Sequence, residues 1–341
     1  MVSITQLADL ADDSLAVVLN KNAKSVNAPI QKMIAQLVPP DHVFVSESRD
    51  HGREIAHEIV DRGYRTVATA GGDGTFVTCV SDIFEYLGTK PDRPDPPRFF
   101  VLKLGTGNAV ASTFGASRPT RDGLAHDLHR ARNAQYCRRL PVLAVEGKIT
   151  PFAGCGLDAR VQFDYYNHKA SFLKAGLGKL AMGGAGYTLS VASRTLPHEL
   201  FGTRPVMRVY NAGQTGLRVR EGGEVLERVD PGALLYEGAA LIASASTIPY
   251  TGLNMRLFPF ARLRDDKFHL RISDLSTLET LLALPVIWRG RYQSDQIYDY
   301  LVDRVVIESD EPLPLQIGGD LAGTRHRVEI GLASAPLEMA G

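Results

Sequence analysis

Two short glycine-rich turns carry the residue types with the clearest chemical use. The first, residues 71–75, reads Gly-Gly-Asp-Gly-Thr and stands between a strand-like run and a helix-like one. Glycines at such a junction let the backbone take positive φ angles and bring its N–H groups close to a phosphate, and the following helix adds the positive end of its dipole. The carboxylate of Asp73 would repel a bare phosphate unless a metal ion or a ribose hydroxyl lies between them. The turn therefore predicts a site for a magnesium-bound nucleotide.

A second turn repeats this arrangement after the next strand. Residues 105–108 read Gly-Thr-Gly-Asn and follow the apolar run 99–102, while a polar loop at 20–23 follows the apolar run 15–19. Parallel strands joined by helical crossovers place their carboxyl ends at the same edge of a sheet. We therefore expect the three loops to face one crevice, although each glycine pattern on its own is also typical of an ordinary tight turn.

The elements that must position these turns alternate regularly over the first 140 residues. Short, continuous apolar runs predict strands at 15–19, 43–45, 66–70 and 99–102. The stretches between them predict helices at 28–37, 52–62 and 76–87. Continuous apolar strands separated by helices indicate a parallel sheet that is covered on both faces. We therefore predict a doubly wound α/β domain, which binds the nucleotide, over residues 1–139.

The pattern changes after residue 140, where strands follow one another through tight turns. A hairpin is predicted around the turn 146–148. Further strand-like runs occur at 204–210, 216–220, 239–244, 267–272, 303–308, 313–317 and 325–330, with helical interruptions near 168–195 and 275–289. This order predicts an antiparallel β-sandwich domain over residues 140–325, which would bind the substrate. Residues 326–341 are predicted to pack back on the first domain.

Bulk composition narrows the class of protein. The 341 residues include 38 basic and 38 acidic side chains, so the net charge of zero gives no broad electrostatic reason to bind nucleic acid. The three cysteines are scattered and odd in number, which argues against a disulfide framework and favours a reducing compartment. Neither a secretory signal nor an apolar run of about 18 residues is found, so we expect a soluble, cytoplasmic protein.

The two glycine turns together resemble those of the diacylglycerol kinase catalytic family, which includes bacterial lipid kinases, sphingosine kinases and ceramide kinases. The resemblance extends across nearly the whole chain. The loop 20–24 is similar to the family's Asn-Pro-x-x-Gly loop, and the segment 154–159 to its Gly-x-Gly-Phe-Asp-Ala segment. Residues 178–181 with 186–187 resemble its Gly-Lys-Leu-Ala-Tyr helix, and residues 318–320 (Gly-Gly-Asp) stand where the family has Asp-Gly-Glu.

The resemblance implies a two-domain kinase that transfers the γ-phosphoryl group of ATP to the hydroxyl of a lipid such as diacylglycerol, with Mg²⁺ as cofactor. Such a transfer needs positioned phosphates, charge neutralisation and a base near the acceptor hydroxyl. The implied catalytic residues are Asp73 and Asp320. The implied nucleotide-binding residues are Asn20, Asn22, Ser48, Gly71, Gly72, Asp73, Gly74, Thr75, Gly105, Thr106 and Asn108.

A lipid acceptor would bring the chain to a membrane surface. We therefore expect peripheral association with the inner face of a membrane, and the chain could also form a homodimer. Arg289 and Arg291, beside Trp288, would suit anionic headgroups, although a solvated charged face explains them equally well.

Two further roles rest on the resemblance alone. The family has a metal-binding loop that reads roughly Lys-Pro-Asp-Asp-Gly-Leu, and residues 262–267 match it. By analogy Asp265 would supply a carboxylate, and Arg262 and Lys267 backbone carbonyls, to Mg²⁺. A charged surface turn is the competing interpretation. Asp320 would be the general base in place of the family's Glu, with its oxygens one methylene further back, and an ordinary hairpin turn is the alternative.

Several polar residues of the family are replaced in this chain. Val77 and Thr78 stand where the family has an Asn-Glu pair, Ala109 where it has an Asp, and Pro141 where an acidic residue begins the second domain. Two other functions therefore stay open. One is that of an NAD kinase, which also carries the Gly-Gly-Asp-Gly-Thr turn, and the other is that of a catalytically weakened protein that binds a nucleotide or a lipid.

Overall fold

The computed structural model describes residues 15–23, 25–92, 94–105, 107–133, 137–174, 193, 195, 197, 199 and 202–340. For residues 165, 166, 168–174 and 253 within these ranges, the structure describes the backbone alone. The segments 178–181 and 186–187 and the predicted site residue Thr106 lie outside the described residues.

Strands and helices of the described chain have the following bounds. The strands are β1 (Leu15–Asn20), β2 (Val43–Ser46), β3 (Thr66–Gly71), β4 (Arg98–Lys103), β5 (Cys137–Leu140), β6 (Leu143–Val145), β7 (Lys148–Thr150), β8 (Phe152–Gly156), β9 (Met207–Asn211), β10 (Gly216–Val219), β11 (Val225–Val229), β12 (Leu234–Gly238), β13 (Ile242–Ser246), β14 (Phe268–Ser273), β15 (Ile297–Val302), β16 (Arg304–Ile317), β17 (Asp320–Leu332) and β18 (Leu337–Ala340). The helices are α1 (Ala28–Ala35), α2 (Arg49–Asp61), α3 (Asp73–Thr89), α4 (Ala109–Thr113), α5 (Arg121–Arg132), α6 (Leu157–Lys174) and α7 (Thr277–Trp288).

The first sheet has six strands in the order β2-β1-β3-β4-β18-β5. The first five strands in this order, from β2 to β18, are parallel to one another. The sixth, β5, lies at the edge and pairs with β18 in the antiparallel sense. Alternate residues of β1 enter different cores, because Leu15, Val17 and Leu19 pack on one face of the sheet while Ala16 and Val18 pack on the other. Both faces are therefore covered, and the predicted doubly wound α/β fold is confirmed.

The second sheet has twelve strands, and the described pairs are all antiparallel. Its main path runs β11-β10-β15-β14-β13-β8-β16-β17-β6-β7, with β9 beside β16 and β12 beside β9. The longest pair is β16 with β17, which joins a strand of 14 residues to one of 13 through the turn Gly318–Gly319. A separate apolar core that includes Phe268, Leu270 and Val305 stabilises this sheet. The predicted antiparallel second domain is confirmed.

The chain crosses between the two sheets twice. It leaves the first sheet after β5 and returns to it with β18, which lies between β4 and β5. β17 ends at Leu332 and belongs wholly to the second sheet, so it runs across the predicted boundary at residue 325. The domain limits at 139 and 325 stay predictions.

Some local predictions differ from the structure. The predicted strand 204–210 is shorter in the structure, where β9 begins at Met207, and it pairs with β12 and β16 rather than with the next strand, β10. The helix expected near 168–195 begins earlier, at Leu157. None of the described helices is both long and apolar enough to span a membrane.

Candidate active site

The polar loop after β1 meets the first glycine turn through side chains. Asn20, the last residue of β1, donates from Nδ2 to Oγ1 of Thr75 at 2.9 Å, and its Oδ1 accepts the backbone N–H of Asn22 at 2.9 Å. β1 and β3 are parallel neighbours, so both loops leave the same edge of the sheet. The two loops therefore form one continuous polar surface.

The two glycine turns touch through their backbones. A Cβ atom added to Gly105 would lie 2.6 Å from the backbone N of Gly72 and 2.8 Å from the carbonyl O of Gly71. A Cβ on Gly71 would likewise lie 2.7 Å from Cβ of Thr75. None of the described glycines of the two turns has a positive φ angle, so the expectation of positive φ was wrong. Glycine is required here because side chains would keep the turns apart.

Asp73 connects the two turns rather than presenting a free carboxylate. Its Oδ2 accepts the backbone N–H of Ala109 at 2.9 Å and its Oδ1 accepts that of Val110 at 3.0 Å. Burial raises the pKa of the Asp73 carboxyl group, the two backbone N–H groups oppose the rise, and the nearby charge of Asp320 adds to it. A direct catalytic role for Asp73 stays a prediction, whereas its anchoring of α4 to the start of α3 is a feature of the structure.

Asn108 closes the second turn on itself. Its backbone has a left-handed φ of 53°, which asparagine tolerates better than most residues. Its Oδ1 accepts the backbone N–H of Gly105 at 2.8 Å, and its Nδ2 donates to the carbonyl of the same residue. The side chain is thus used to shape the turn, and Asn108 is not among the residues that line the adjacent cavity.

Asn22 and Ser48 line the cavity, but their side chains also have structural partners. Nδ2 of Asn22 donates to the carbonyl of Glu47 at 3.2 Å. Ser48 is the N-cap of α2, and its Oγ accepts the backbone N–H of His51 at 3.1 Å. Both residues therefore hold the loop after β2 in place beside the glycine turns.

A cavity of about 940 Å³ lies between the two domains at this sheet edge. Its polar end is lined by most of the predicted nucleotide-binding residues, namely Asn20, Asn22, Ser48, Gly72, Asp73, Gly74, Thr75 and Gly105. Its other end reaches the second domain, where Leu241, Ile242, Leu275, Leu284 and Ile287 line the wall. A cavity of this size accommodates a drug-sized or cofactor-sized ligand. One end of it suits a polar ligand and the other an apolar one.

Asp320, at the start of β17, faces the first glycine turn. A Cβ atom added to Gly74 would lie 2.9 Å from its Cγ and 3.0 Å from its Oδ1. Within the described chain, no hydrogen-bond donor contacts its carboxylate, and the residue is exposed to the cavity. Partial burial of the carboxyl group raises its pKa, and the positive charge of Lys148 opposes the rise. A carboxylate with a raised pKa and no internal partner is suited to accept a proton.

The turn that carries Asp320 docks closely on the first domain. A Cβ atom added to Gly318 would lie 3.0 Å from Cβ of Val77, and Gly318 itself has φ 62°. Gly318 also donates its N–H to the carbonyl of Phe152 at 2.9 Å. Val77, one of the departures from the family pattern, thus packs against the turn, and the close approach brings the shorter Asp side chain up to Gly74.

Asp158, which sequence reasoning matched to a family segment but did not select as a site residue, is a buried carboxyl group in the cavity wall. Its Oδ2 accepts from Oγ of Ser244 at 3.0 Å and from Nε2 of Gln316 at 3.1 Å. Oε1 of Gln316 in turn accepts the N–H of Gly319 at 3.0 Å. Burial raises the pKa of the Asp158 carboxyl group. Asp158 is therefore linked through Gln316 to the turn that holds Asp320.

Two arginines in the cavity wall were also missed, because nothing in their local sequence distinguishes them. Arg49, beside Ser48, is half-exposed and pairs with the buried carboxylate of Asp82. Arg271 is buried on β14 and binds Asp299 through two hydrogen bonds of 2.7 and 2.9 Å. Each guanidinium group is thus held in the cavity wall by a carboxylate that balances its charge.

The predicted metal loop does not join this site. Arg262, Asp265 and Lys267 are absent from the described cavity lining. The guanidinium of Arg262 lies 5.9 Å from the ring centre of Phe114, and Nζ of Lys267 lies 3.6 Å from a carboxylate oxygen of Asp303.

The two acidic side chains of this loop have different surroundings. Asp265 is exposed, and its acidic neighbour Asp266 pairs with Arg264 at 2.8 Å. Three basic side chains surround two acidic ones, and no group of three or more His, Cys, Asp or Glu residues in the described chain could hold a metal. The set of one carboxylate and two backbone carbonyls that the resemblance implied is a different kind of site, so a Mg²⁺ site at residues 262–267 stays a prediction.

Comparisons with known proteins agree with the fold and with the glycine turns. Residues 14–138 match the model of the diacylglycerol kinase catalytic domain. A candidate diacylglycerol kinase from Bacillus anthracis str. Sterne is 15% identical, with a TM-score of 0.61 over 96% of this chain and 97% of that one. A second structure from that organism, a diacylglycerol kinase, is 13% identical, with a TM-score of 0.59 over 96% of both chains.

A third solved structure is less similar to this chain. An NAD kinase from Archaeoglobus fulgidus in complex with ATP is 11% identical, with a TM-score of 0.42 over 96% of this chain and 93% of that one. No curated protein matches the sequence. The resemblance drawn from the glycine turns is nevertheless confirmed, since residues 14–138 match the diacylglycerol kinase catalytic domain and the fold of the chain is similar to the bacterial structures given that name.

Proposed function

We propose that this protein is a lipid kinase that transfers the γ-phosphoryl group of ATP to the hydroxyl of a neutral lipid such as diacylglycerol. The observation that carries the proposal is the position of Asp320. Its carboxylate, without an internal hydrogen-bond donor in the described chain, faces Gly74, and both residues line the cavity that also has apolar side chains in its wall. The acceptor hydroxyl and the phosphate would have to meet at this point.

The polar end suits the triphosphate. The glycine turn 71–75 precedes α3, so the amino end of a helix of 17 residues points its N–H groups towards the cavity. The side chains of Asn20 and Thr75 are already hydrogen-bonded to each other, which fixes the loop beside the turn before a ligand binds. The guanidinium of Arg49, which Asp82 holds in place, adds hydrogen-bond donors to the cavity wall. Fixed donors and charges of this kind are the main protein contribution to phosphoryl transfer.

The reaction would proceed as an in-line displacement. The lipid hydroxyl oxygen attacks the γ-phosphorus, and the bond between the γ-phosphorus and the bridging oxygen breaks, so that ADP leaves. The hydroxyl proton passes to the Asp320 carboxylate. The raised pKa of Asp320 makes the ionised form a stronger base than an exposed aspartate. Gln316 and Asp158 position the turn through the N–H of Gly319. Residues 262–267 take no part in this proposal.

The apolar end suits an acyl chain. Leu241 and Ile242, at the start of β13, line this end together with Leu284 and Ile287 of α7. NAD, the acceptor of an NAD kinase, is a polar dinucleotide and would leave these side chains without an apolar partner. Their presence in the cavity wall therefore favours a lipid over NAD as the acceptor.

The proposal is tested by incubating the purified chain with labelled ATP and Mg²⁺ and either a panel of neutral lipids or NAD. We expect labelled lipid, and the Asp320→Asn variant should lose about 10²- to 10⁴-fold of this activity because it cannot accept the proton. The rate of the wild-type protein should also fall as the pH drops through the raised pKa of Asp320, above the ordinary value of 3.8.

Three results of these experiments would contradict the proposal. Label on NAD alone would indicate an NAD kinase. ATP binding by calorimetry without turnover on any acceptor would indicate a binding protein. An Asp320→Asn variant as active as the wild type would remove the proposed base.

A further inference from the structure

Helix α7 is apolar on the side that faces solvent. With roughly 100° per residue, its outer side carries one continuous set of residues, namely Leu278, Leu281, Leu282, Pro285 and Val286. Leu282 is 76% exposed and Leu278 60%, the two highest values among the exposed large apolar side chains of the described residues. A surface helix ordinarily places polar residues on its outer side, and a helix that is apolar all round is usually buried in protein or lipid.

The opposite side of the same helix forms part of the cavity. Thr280, Leu284 and Ile287 line the cavity wall, so α7 separates the apolar end of the cavity from the surroundings. Its one charged residue, Glu279, accepts a hydrogen bond from the Tyr292 hydroxyl at 2.7 Å and does not interrupt the outer apolar side. The outer side and the cavity are thus two sides of a wall one helix thick.

Three arginines surround the carboxyl end of α7. Arg289 and Arg291 are exposed and follow the helix directly, and Arg256 is held beside them because its backbone N–H donates to the carbonyl of Trp288 at 2.9 Å. Among the described residues none of the three forms an ion pair with a carboxylate. Basic side chains next to an exposed apolar face suit a surface that is apolar inside and negatively charged outside.

We infer that the outer side of α7 is the surface by which this protein binds an anionic lipid bilayer. The helix lies in the plane of the bilayer, with Leu278, Leu281 and Leu282 at the boundary between headgroups and acyl chains, and the three arginines contact anionic headgroups. This inference rests on the proposed function and deepens it. It places the bilayer that holds the lipid acceptor against the outer side of α7, while the inner side of the same helix lines the cavity. Binding itself requires neither ATP nor an acceptor.

The test is co-sedimentation of the full chain with phosphatidylcholine vesicles, with and without phosphatidylglycerol and in the absence of ATP and diacylglycerol. We expect binding that requires phosphatidylglycerol and weakens at high salt. The double variant Leu278→Glu with Leu282→Glu should bind at least about tenfold more weakly, since it loses two apolar contacts with the bilayer. The double variant Leu226→Glu with Leu234→Glu, which changes two exposed leucines on β11 and β12, should bind like the wild type.

Several outcomes would overturn the inference. One is failure of the wild-type chain to sediment with anionic vesicles, and another is equal loss of binding in both double variants. A third is a wild-type dimer that becomes a monomer only in the α7 variant, since the apolar side would then cover a second copy of the chain.

The outcome for the membrane surface is separable from the outcome for the kinase. Phosphorylation of a short-chain diacylglycerol dispersed without vesicles reports on the active site alone. The α7 variant should keep this activity, since neither substituted leucine lines the cavity, and should lose activity on diacylglycerol within vesicles. Vesicle binding without any kinase activity would sink the proposed function and leave the membrane surface standing.

Discussion

The glycine turn 71–75 was assigned to the site from its own residues and position as well as from the family resemblance, whereas the charged loop 262–267 was assigned from the resemblance alone. The two segments have different places in the structure. The turn lines the cavity and contacts the second glycine turn and Asp320. The loop lies outside the cavity lining, and its charged side chains pair with one another or with Asp303. A shared family pattern therefore did not lead to a shared place in the fold.

The difference follows from how each segment is positioned. The turn stands at the carboxyl end of a strand in a parallel sheet, where topology alone brings neighbouring loops together. The loop precedes β14 in an antiparallel sheet, and nothing in such a sheet directs a connection towards one shared edge. Position within a parallel sheet therefore predicts a place in the cavity lining, whereas the similarity of a charged loop to a motif does not.

The largest effect that can sharpen this comparison is expected from Gly105→Ala. The new Cβ atom would lie 2.6 Å from the backbone N of Gly72 and 2.8 Å from the carbonyl of Gly71, and backbone atoms of two packed turns cannot move aside cheaply. We expect the free energy of unfolding to fall by about 3 kcal/mol or more, as urea denaturation would measure.

Gly88→Ala is the matched control. Gly88 lies in α3, and an added Cβ atom there meets nothing within 4 Å, so the substitution should stabilise the helix by roughly 0.5–1 kcal/mol. If Gly105→Ala were as stable as Gly88→Ala, the close contact between the two turns would not exist as described.

The parts of the site that the sequence predicted are those that strand order determines. The apolar runs of β1, β3 and β4 and the glycines after them predicted a parallel sheet and the neighbourhood of Asn20 and Thr75, because these depend on local pattern and topology. The reason for the glycines was not predicted. They allow close packing of two turns, and a close approach between distant segments leaves no local mark in the sequence.

The second domain shows the limit more clearly. Asp320 was selected by resemblance, but its contact with Gly74 depends on the packing of Gly318 against Val77, which joins two domains across 241 positions of sequence. The Asp158–Gln316 link depends on the register between β8 and β16, where Gly154 faces Gln316. Pairings of this length depend on the whole sheet, so sequence patterns within one strand cannot reveal them.

A middle-sized effect is expected from Asp73→Ala, which tests whether this residue anchors the two turns. The substitution leaves the buried N–H groups of Ala109 and Val110 without an acceptor, and the relief of a buried charge offsets part of this cost. We expect a loss of about 2 kcal/mol in the free energy of unfolding at low pH, where the carboxyl group is neutral. Asp73→Asn, which keeps one acceptor, should lose less.

The pH dependence gives this prediction a sign. Because burial raises the pKa of Asp73 above 3.8, its contribution to stability is full below that value and is lost as the pH rises through the raised pKa. The stability difference between the wild type and Asp73→Ala should therefore shrink from pH 4 towards pH 7. A difference that grows over this range would contradict the assignment of burial as the main cause.

The smallest effect is expected from Asp265→Ala, which tests the other side of the comparison. Asp265 is exposed, lies outside the cavity lining and has no basic partner in the described chain, so its loss should change stability by less than about 0.5 kcal/mol. Phosphorylation of lipid should stay within about twofold of the wild type at every Mg²⁺ concentration, while Asp320→Asn loses activity in the same assay. A variant that needed more Mg²⁺ to reach the wild-type rate would show that the loop binds the cation after all. In that case the family motif would have been a better guide than the charges around it, and the surface pairs of Arg264 and Lys267 would have to rearrange when the ion binds.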